Sequence, residues 1–181
     1  MQVKEVVAEC LIKLGKENFV SKEEYTDEEN AIAERLVAAL NIAYREAVTE
    51  YLPLVKEEEV AVSDGTIDVS ALTERIIYPV SLVAGGAKYP LCVQPDRLLA
   101  DYKGKAVLKY AYLPAEYALG DTIDDMRITP SVLADGTLAE YCFQDKVFDL
   151  AKSYDTDFRS ALGLLRYKGR AMRLKTGRWR A

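Results

Sequence analysis

Val60-Ala61-Val62-Ser63-Asp64-Gly65-Thr66-Ile67-Asp68-Val69 is the stretch on which the fold turns. Before it, apolar residues recur every three or four positions; through it they alternate, so a helical region gives way to strands. Asp64-Gly65 between two alternating runs predicts a tight hairpin in which Val62 faces Ile67 and Val60 faces Val69. All four side chains then fall on one side of a sheet.

On the N-terminal side the periodicity is helical. Val3, Val6, Val7, Cys10, Leu11 and Leu14 form one stripe over residues 2–14. Gly15, between Leu14 and Lys16, suits a left-handed C-cap, with Lys13 and Lys16 at the negative end of the helix. A Lys- and Glu-rich link with Phe19 and Tyr25 as packing anchors leads to Thr26-Asp27-Glu28-Glu29, a capping box. The second helix carries Ile32, Leu36, Ala39, Leu40, Ala43 and Ala47 on its stripe, and Pro53 stops it shortly after Tyr51.

On the C-terminal side a second hairpin is expected between 75–83 and 88–94, turning at Gly85-Gly86, with Pro79 and Pro90 marking edges or bulges. A last strand covers 106–112 and is closed by Pro114, which makes about five short antiparallel strands over 55–113. Helical periodicity returns at Thr129-Pro130, an N-cap and first helical residue, and runs to about Phe143. Asp145 is expected to cap a final helix with Val147, Leu150, Ala151, Tyr154, Phe158, Ala161, Leu162 and Leu165 on its apolar side.

The expected fold class is therefore α+β: a four-helix bundle, two helices from each end of the chain, with an inserted antiparallel β lobe and an extended basic C-terminal arm. Residues 1–54 supply helices 1 and 2, 55–114 the β lobe, 115–128 an acidic loop, 129–168 helices 3 and 4, and 169–181 the arm.

Composition narrows the chemistry. The 181 residues are 50% hydrophobic and 29% charged, as in a globular domain, and include no histidine. Without imidazole there is no Ser-His-Asp or Cys-His site and no His-ligated metal. Cys10, Cys92 and Cys142 form no C-x-x-C pair and read as buried thiols in a reducing cytoplasm. The start of the chain lacks the pattern of a signal peptide and no apolar run is long enough to span a bilayer, so the expectation is a protein that stays inside its cell, away from membranes. Neither G-x-x-x-x-G-K-[ST] nor G-x-G-x-x-G occurs, and no cofactor is expected.

The acidic residues do not read as a catalytic pair. Glu57-Glu58-Glu59 alternates between the two faces of a strand. Asp121, Asp124 and Asp125 lack the spacing of a calcium loop and read as solvated, and Asp155 and Asp157 as the wet side of the last helix. Tyr102, Tyr110, Tyr112 and Tyr117 cluster around the last strand, as ordinary strand residues or as part of a subunit interface. No metal site and no enzyme activity are expected.

Charge is divided sharply along the chain. Seven of the 24 basic residues lie in Arg166-Tyr-Lys-Gly-Arg-Ala-Met-Arg-Leu-Lys-Thr-Gly-Arg-Trp-Arg-Ala181, which has no acid. The rest keeps 17 basic against 29 acidic residues, a net of −12. Arg170, Arg173, Lys175, Arg178 and Arg180 surround the only tryptophan, Trp179. Arginines around a tryptophan make up a partner-binding anchor. Two other readings stay open: the tail folds back on its own helices, or it contacts nucleic acid, which the acidic balance of the whole disfavours.

This layout resembles the head-to-tail adaptor, or connector, proteins of tailed bacteriophages. The resemblance is carried by the opening helix VVAECLIKLG (6–15), the long helix AIAERLVAALNIAYREAVTEYLPL (31–54), the strands around SDGTIDVS (63–70) and LKYAYLP (108–114), the closing LAEYCFQDKVFDLAKSYDTDFRSAL (138–162) and the basic aromatic tail. It implies a structural virion protein of the neck, made in the bacterial cytoplasm. Such a protein forms a homo-oligomeric ring, commonly a dodecamer, between the portal protein and a tail or neck protein, and DNA passes through it without specific binding. The arm would then dock into the portal. The rival expectation is a host-encoded helical protein-interaction module without catalytic activity.

Overall fold

A computed structural model describes residues 1–16 and 26–168; the anchors Phe19 and Tyr25 and the whole arm, 169–181, lie outside the described residues. Helix α1 (Val3–Lys13) ends as its sequence requires. Gly15 adopts φ +70°, and the N–H groups of Gly15 and Lys16 return to the carbonyls of Ile12 and Leu11 at 2.9 and 2.8 Å. Helix α2 (Asp27–Glu46) opens on the Thr26–Glu29 capping box, in which the Thr26 N–H donates to Glu29 Oε2 at 2.8 Å. It continues as a π-helical turn (Ala47–Tyr51) and stops before Pro53.

Seven strands follow, all antiparallel. Strands β1 (Leu54–Val62), β7 (Gly104–Leu113), β3 (Arg75–Ala84) and β4 (Ala87–Tyr89) form one sheet in that spatial order. Strands β2 (Thr66–Asp68), β6 (Arg97–Ala100) and β5 (Leu91–Val93) form a second. Between them lies a core of Val60, Val62, Ile67, Leu82, Leu98, Leu108 and Tyr110. Helices α3 (Pro130–Gln144) and α4 (Phe148–Lys168) complete the chain.

The turn at Asp64-Gly65 forms, but the hairpin does not. Both residues take positive φ, 49° and 75°, and Ser63 and Thr66 exchange backbone hydrogen bonds of 3.0 and 2.9 Å. The flanking strands then part company: β1 pairs over its full length with β7, and β2 pairs with β6 in the other sheet. Val62 and Ile67 share one core without being cross-strand partners. A nine-residue ladder with β7 buries more of β1 than a three-residue partner can, so the tight turn acts as a corner between sheets. The turn at Gly85-Gly86 forms, pairing Ala84 with Ala87 and Leu82 with Tyr89, but the expected partner strand 88–94 is broken at Pro90, and Leu91–Val93 joins β6 in the other sheet. Pro79 sits in a doubly bulged part of β3 that β4 does not reach.

The α+β class holds; the four-helix bundle with an inserted lobe does not. The helices are split by a central β region of two sheets with its own core. They pack around α3, which lies against α1, α2 and α4, whereas α4 leans chiefly on α3 and the π turn. The reason lies in the side chains. Helix α3 buries Leu133, Ala134, Gly136, Thr137, Leu138, Tyr141 and Cys142, which at 3.6 residues per turn cover roughly two thirds of its circumference, so it takes a central place. By contrast, Val147, just before α4, and Leu150 on it, both expected on the apolar stripe, stay exposed, as does Leu164. Asp145 is not the N-cap of α4: it closes α3, Lys146 reverses the chain at φ +62°, and the Asp145 carboxylate pairs with Arg35.

The helical layer and the β region are pinned where the chain crosses between them. Buried Asp125 accepts from Arg127 Nε at 2.9 Å and Nη2 at 2.7 Å, and from the Arg127 N–H at 3.0 Å. The same guanidinium donates to the carbonyls of Leu52 at 2.9 Å and Pro53 at 3.2 Å, at the start of β1. Tyr44 on α2 donates to Asp125 from 3.4 Å. Among the described residues no helix is long and apolar enough to cross a membrane.

Candidate partner-binding surfaces

Arg170, Arg173, Lys175, Arg178, Trp179 and Arg180 lie outside the described residues. Within them, two uncovered apolar surfaces stand out.

The first is a groove of about 480 Å³ where α2, α3 and α4 meet. Each helix offers one stripe to it: Ile42 and Glu46 from α2; Gly136, Ala139, Glu140 and Phe143 from α3; Phe148, Ala151, Lys152, Asp155, Phe158 and Arg159 from α4. Phe143 and Phe148 flank the α3–α4 turn, packed edge to face with ring centres 5.7 Å apart, yet they remain 60% and 58% exposed. Gly136 brings α3 and α4 together, since a Cβ there would stand 2.7 Å from the Phe158 ring.

The groove is polar along one wall. Arg159 donates from Nε to Asp155 Oδ1 at 2.7 Å and places Nη2 2.8 Å from Glu46 Oε1. That Glu46 oxygen is buried and, among the described residues, receives no aligned hydrogen bond beyond this ion pair. Burial pushes the Glu46 carboxyl up, and the Arg159 charge only partly offsets it. Glu140 accepts from Gln144 at 3.1 Å. Three carboxylates thus face two cations.

The second surface is on the four-stranded sheet. Strand β4 pairs only with Leu82–Ala84, so on that side the part of β3 before them has no strand partner among the described residues. Tyr78, Val80 and Val93 are exposed there beside a hollow of about 530 Å³, with Lys88 at its rim.

The other sequence candidates resolve into structural pairs. Glu57 and Glu59 on the outer face of β1 meet Lys109 and Lys105 of β7, while Glu58, on the other face, accepts from the Tyr110 hydroxyl at 2.7 Å. Tyr110 is buried and Tyr117 packs edge to face on Tyr44, so the tyrosine cluster is not one exposed patch. Asp125 belongs to the Arg127 clamp, and among the described residues no three acids or cysteines converge on a metal position. Cys10 and Cys142 are buried; Cys92, expected to be buried, is exposed on β5.

Sequence reasoning missed the groove because it used Phe143 only as the end of a helix and left Phe148 out of account. The available signal was two phenylalanines flanking a short helix–helix turn. No protein-family model matches the sequence, and no curated protein matches it.

Proposed function

We propose that this chain is a non-enzymatic structural subunit, a head-to-tail adaptor of a tailed bacteriophage. It forms a homo-oligomeric ring in the virion neck that joins the portal to the tail and docks through its basic C-terminal arm. The observation that carries this reading is the presence of two unlike uncovered apolar surfaces, one on the helical layer and one at the β3 edge. A ring is closed by heterologous contacts, in which a surface of one subunit meets a different surface of the next. The division of charge supports the rest: an acidic body repels DNA in a channel, and an arm with arginines around Trp179 suits an acidic groove on another protein.

The test is solution mass, measured for the chain alone and with a portal protein from the same genome. A closed ring or a portal complex is expected. Trp179→Ala combined with Arg178→Glu and Arg180→Glu should abolish portal binding while leaving helix content unchanged. A chain that stays monomeric and ignores the portal overturns the adaptor reading in favour of a host interaction module.

A further inference from the structure

We infer that the α3–α4 corner of one copy of this chain seats in the hollow beside β3 of the next copy. The inference names a subunit contact for the adaptor reading and rests on that reading only for the closure of a ring. The corner is an apolar knob. Every residue from Phe143 to Leu150 is exposed, through the end of α3, the reversal at Lys146 and the start of α4. Four of these eight, Phe143, Val147, Phe148 and Leu150, are large and apolar. The knob is also held in shape. The Lys146 N–H donates to the Phe143 carbonyl at 3.0 Å and the Val147 N–H to the Cys142 carbonyl at 2.9 Å, while the two phenylalanine rings pack on each other. A surface ordered beforehand loses little freedom on docking.

The receiving surface is concave. Tyr78, Pro79 and Val80 of β3 line one side of the hollow of about 530 Å³, and Pro90 and Val93 line another. Its lining holds one charge, Lys88, and no acid. Among the described residues Lys88 has no ion-pair partner, and neither has Asp149 on the corner. Around the corner Glu140, Asp145 and Asp149 stand against Lys146 and Lys152. A net negative knob therefore faces a positive hollow.

The contact needs two copies. Within one chain both surfaces are exposed at once, so they do not cover each other. Knob against knob would bring like charges together and leave the hollow open. Knob in hollow covers, in one repeated contact, seven of the thirteen exposed large apolar side chains among the described residues.

Complementation between two variants tests the pairing. Phe148→Asp spoils only the knob, and Val93→Asp only the hollow; both side chains are exposed, and circular dichroism checks that the fold is retained. In sedimentation over a concentration series, the wild type should assemble beyond a dimer and each variant should be monomeric. Mixed, the variants keep one intact knob and one intact hollow between them, and should form a 1:1 pair and nothing larger. Val80→Asp should substitute for Val93→Asp in that mixture. Assembly that survives in either kind of variant, or a mixture that stays monomeric, overturns the pairing. A wild type that is monomeric or stops at a closed dimer also overturns it. Portal binding is read separately. Variants that still close a ring refute the pairing and leave the adaptor, whereas a 1:1 pair from a chain that ignores the portal refutes the adaptor and leaves the pairing.

Discussion

Burial alone separates the three thiols. Cys10 lies inside the helical core with its Sγ 3.7 Å from the Ala134 carbonyl, and burial pushes its pKa up to about 12, with Lys13 only partly opposing. Cys142 is raised too, by burial and then by Asp145. Cys92 is exposed. A thiol reagent at mildly alkaline pH should therefore label one cysteine of the native chain quickly, and Cys92→Ser should remove that phase. Cys10 and Cys142 should react only as the chain opens; a fast Cys10 would mean that the α1–α3 contact is not closed. The burial of Cys10 and Cys142 was legible because both lie on apolar helical stripes, which identify their own inner side. Cys92 lies on a three-residue strand, and which side of such a strand faces water depends on the sheet it joins.

Two glycines show what an element's surroundings decide. Gly136 and Gly163 both lie inside helices, α3 and α4, where alanine is intrinsically the better residue. At Gly163 a methyl group meets open space, so Gly163→Ala should stabilise the protein by about 0.5–1 kcal/mol. At Gly136 the same methyl meets the Phe158 ring, which is buried and cannot retreat, so Gly136→Ala should cost roughly 1–3 kcal/mol. Urea melts of the two variants test this directly, and shifts of the same sign would refute the close α3–α4 approach. At this scale the sequence identified helices, caps and turns well, since Thr26–Glu29, Gly15 and Thr129 act on backbone groups a few residues away. It misassigned the partner of β1 and the role of Asp145, because both are chosen by residues far along the chain.

At the scale of the whole molecule, the Asp125–Arg127 clamp joins the two crossings between helices and sheets. Burial alone would raise the Asp125 carboxyl, but hydrogen bonds from the Arg127 side chain and backbone hold it below its ordinary value of 3.8. A depressed carboxyl contributes stability that is complete above its unfolded-state value and is lost as the pH falls through its folded-state value. Asp125→Asn should thus be the less stable protein near neutral pH, and its deficit should shrink as the pH is lowered below 3.8. Denaturant midpoints at a series of pH values measure this. A deficit independent of pH would show that the carboxylate charge does not hold the junction.

The amino-acid order by itself determined the α+β class, the switch from helical to strand periodicity, the capped helix ends and the opposite charge of body and arm. These follow from spacing and from bonds between near neighbours. Only the tertiary structure decided that β1 and β2 separate at Asp64-Gly65, that α3 rather than a shared bundle axis is the centre of the helical layer, and that Ile42, Phe143 and Phe148 meet at one groove. Those outcomes depend on which distant apolar faces fill the same space, and packing at that range leaves no local periodicity to read.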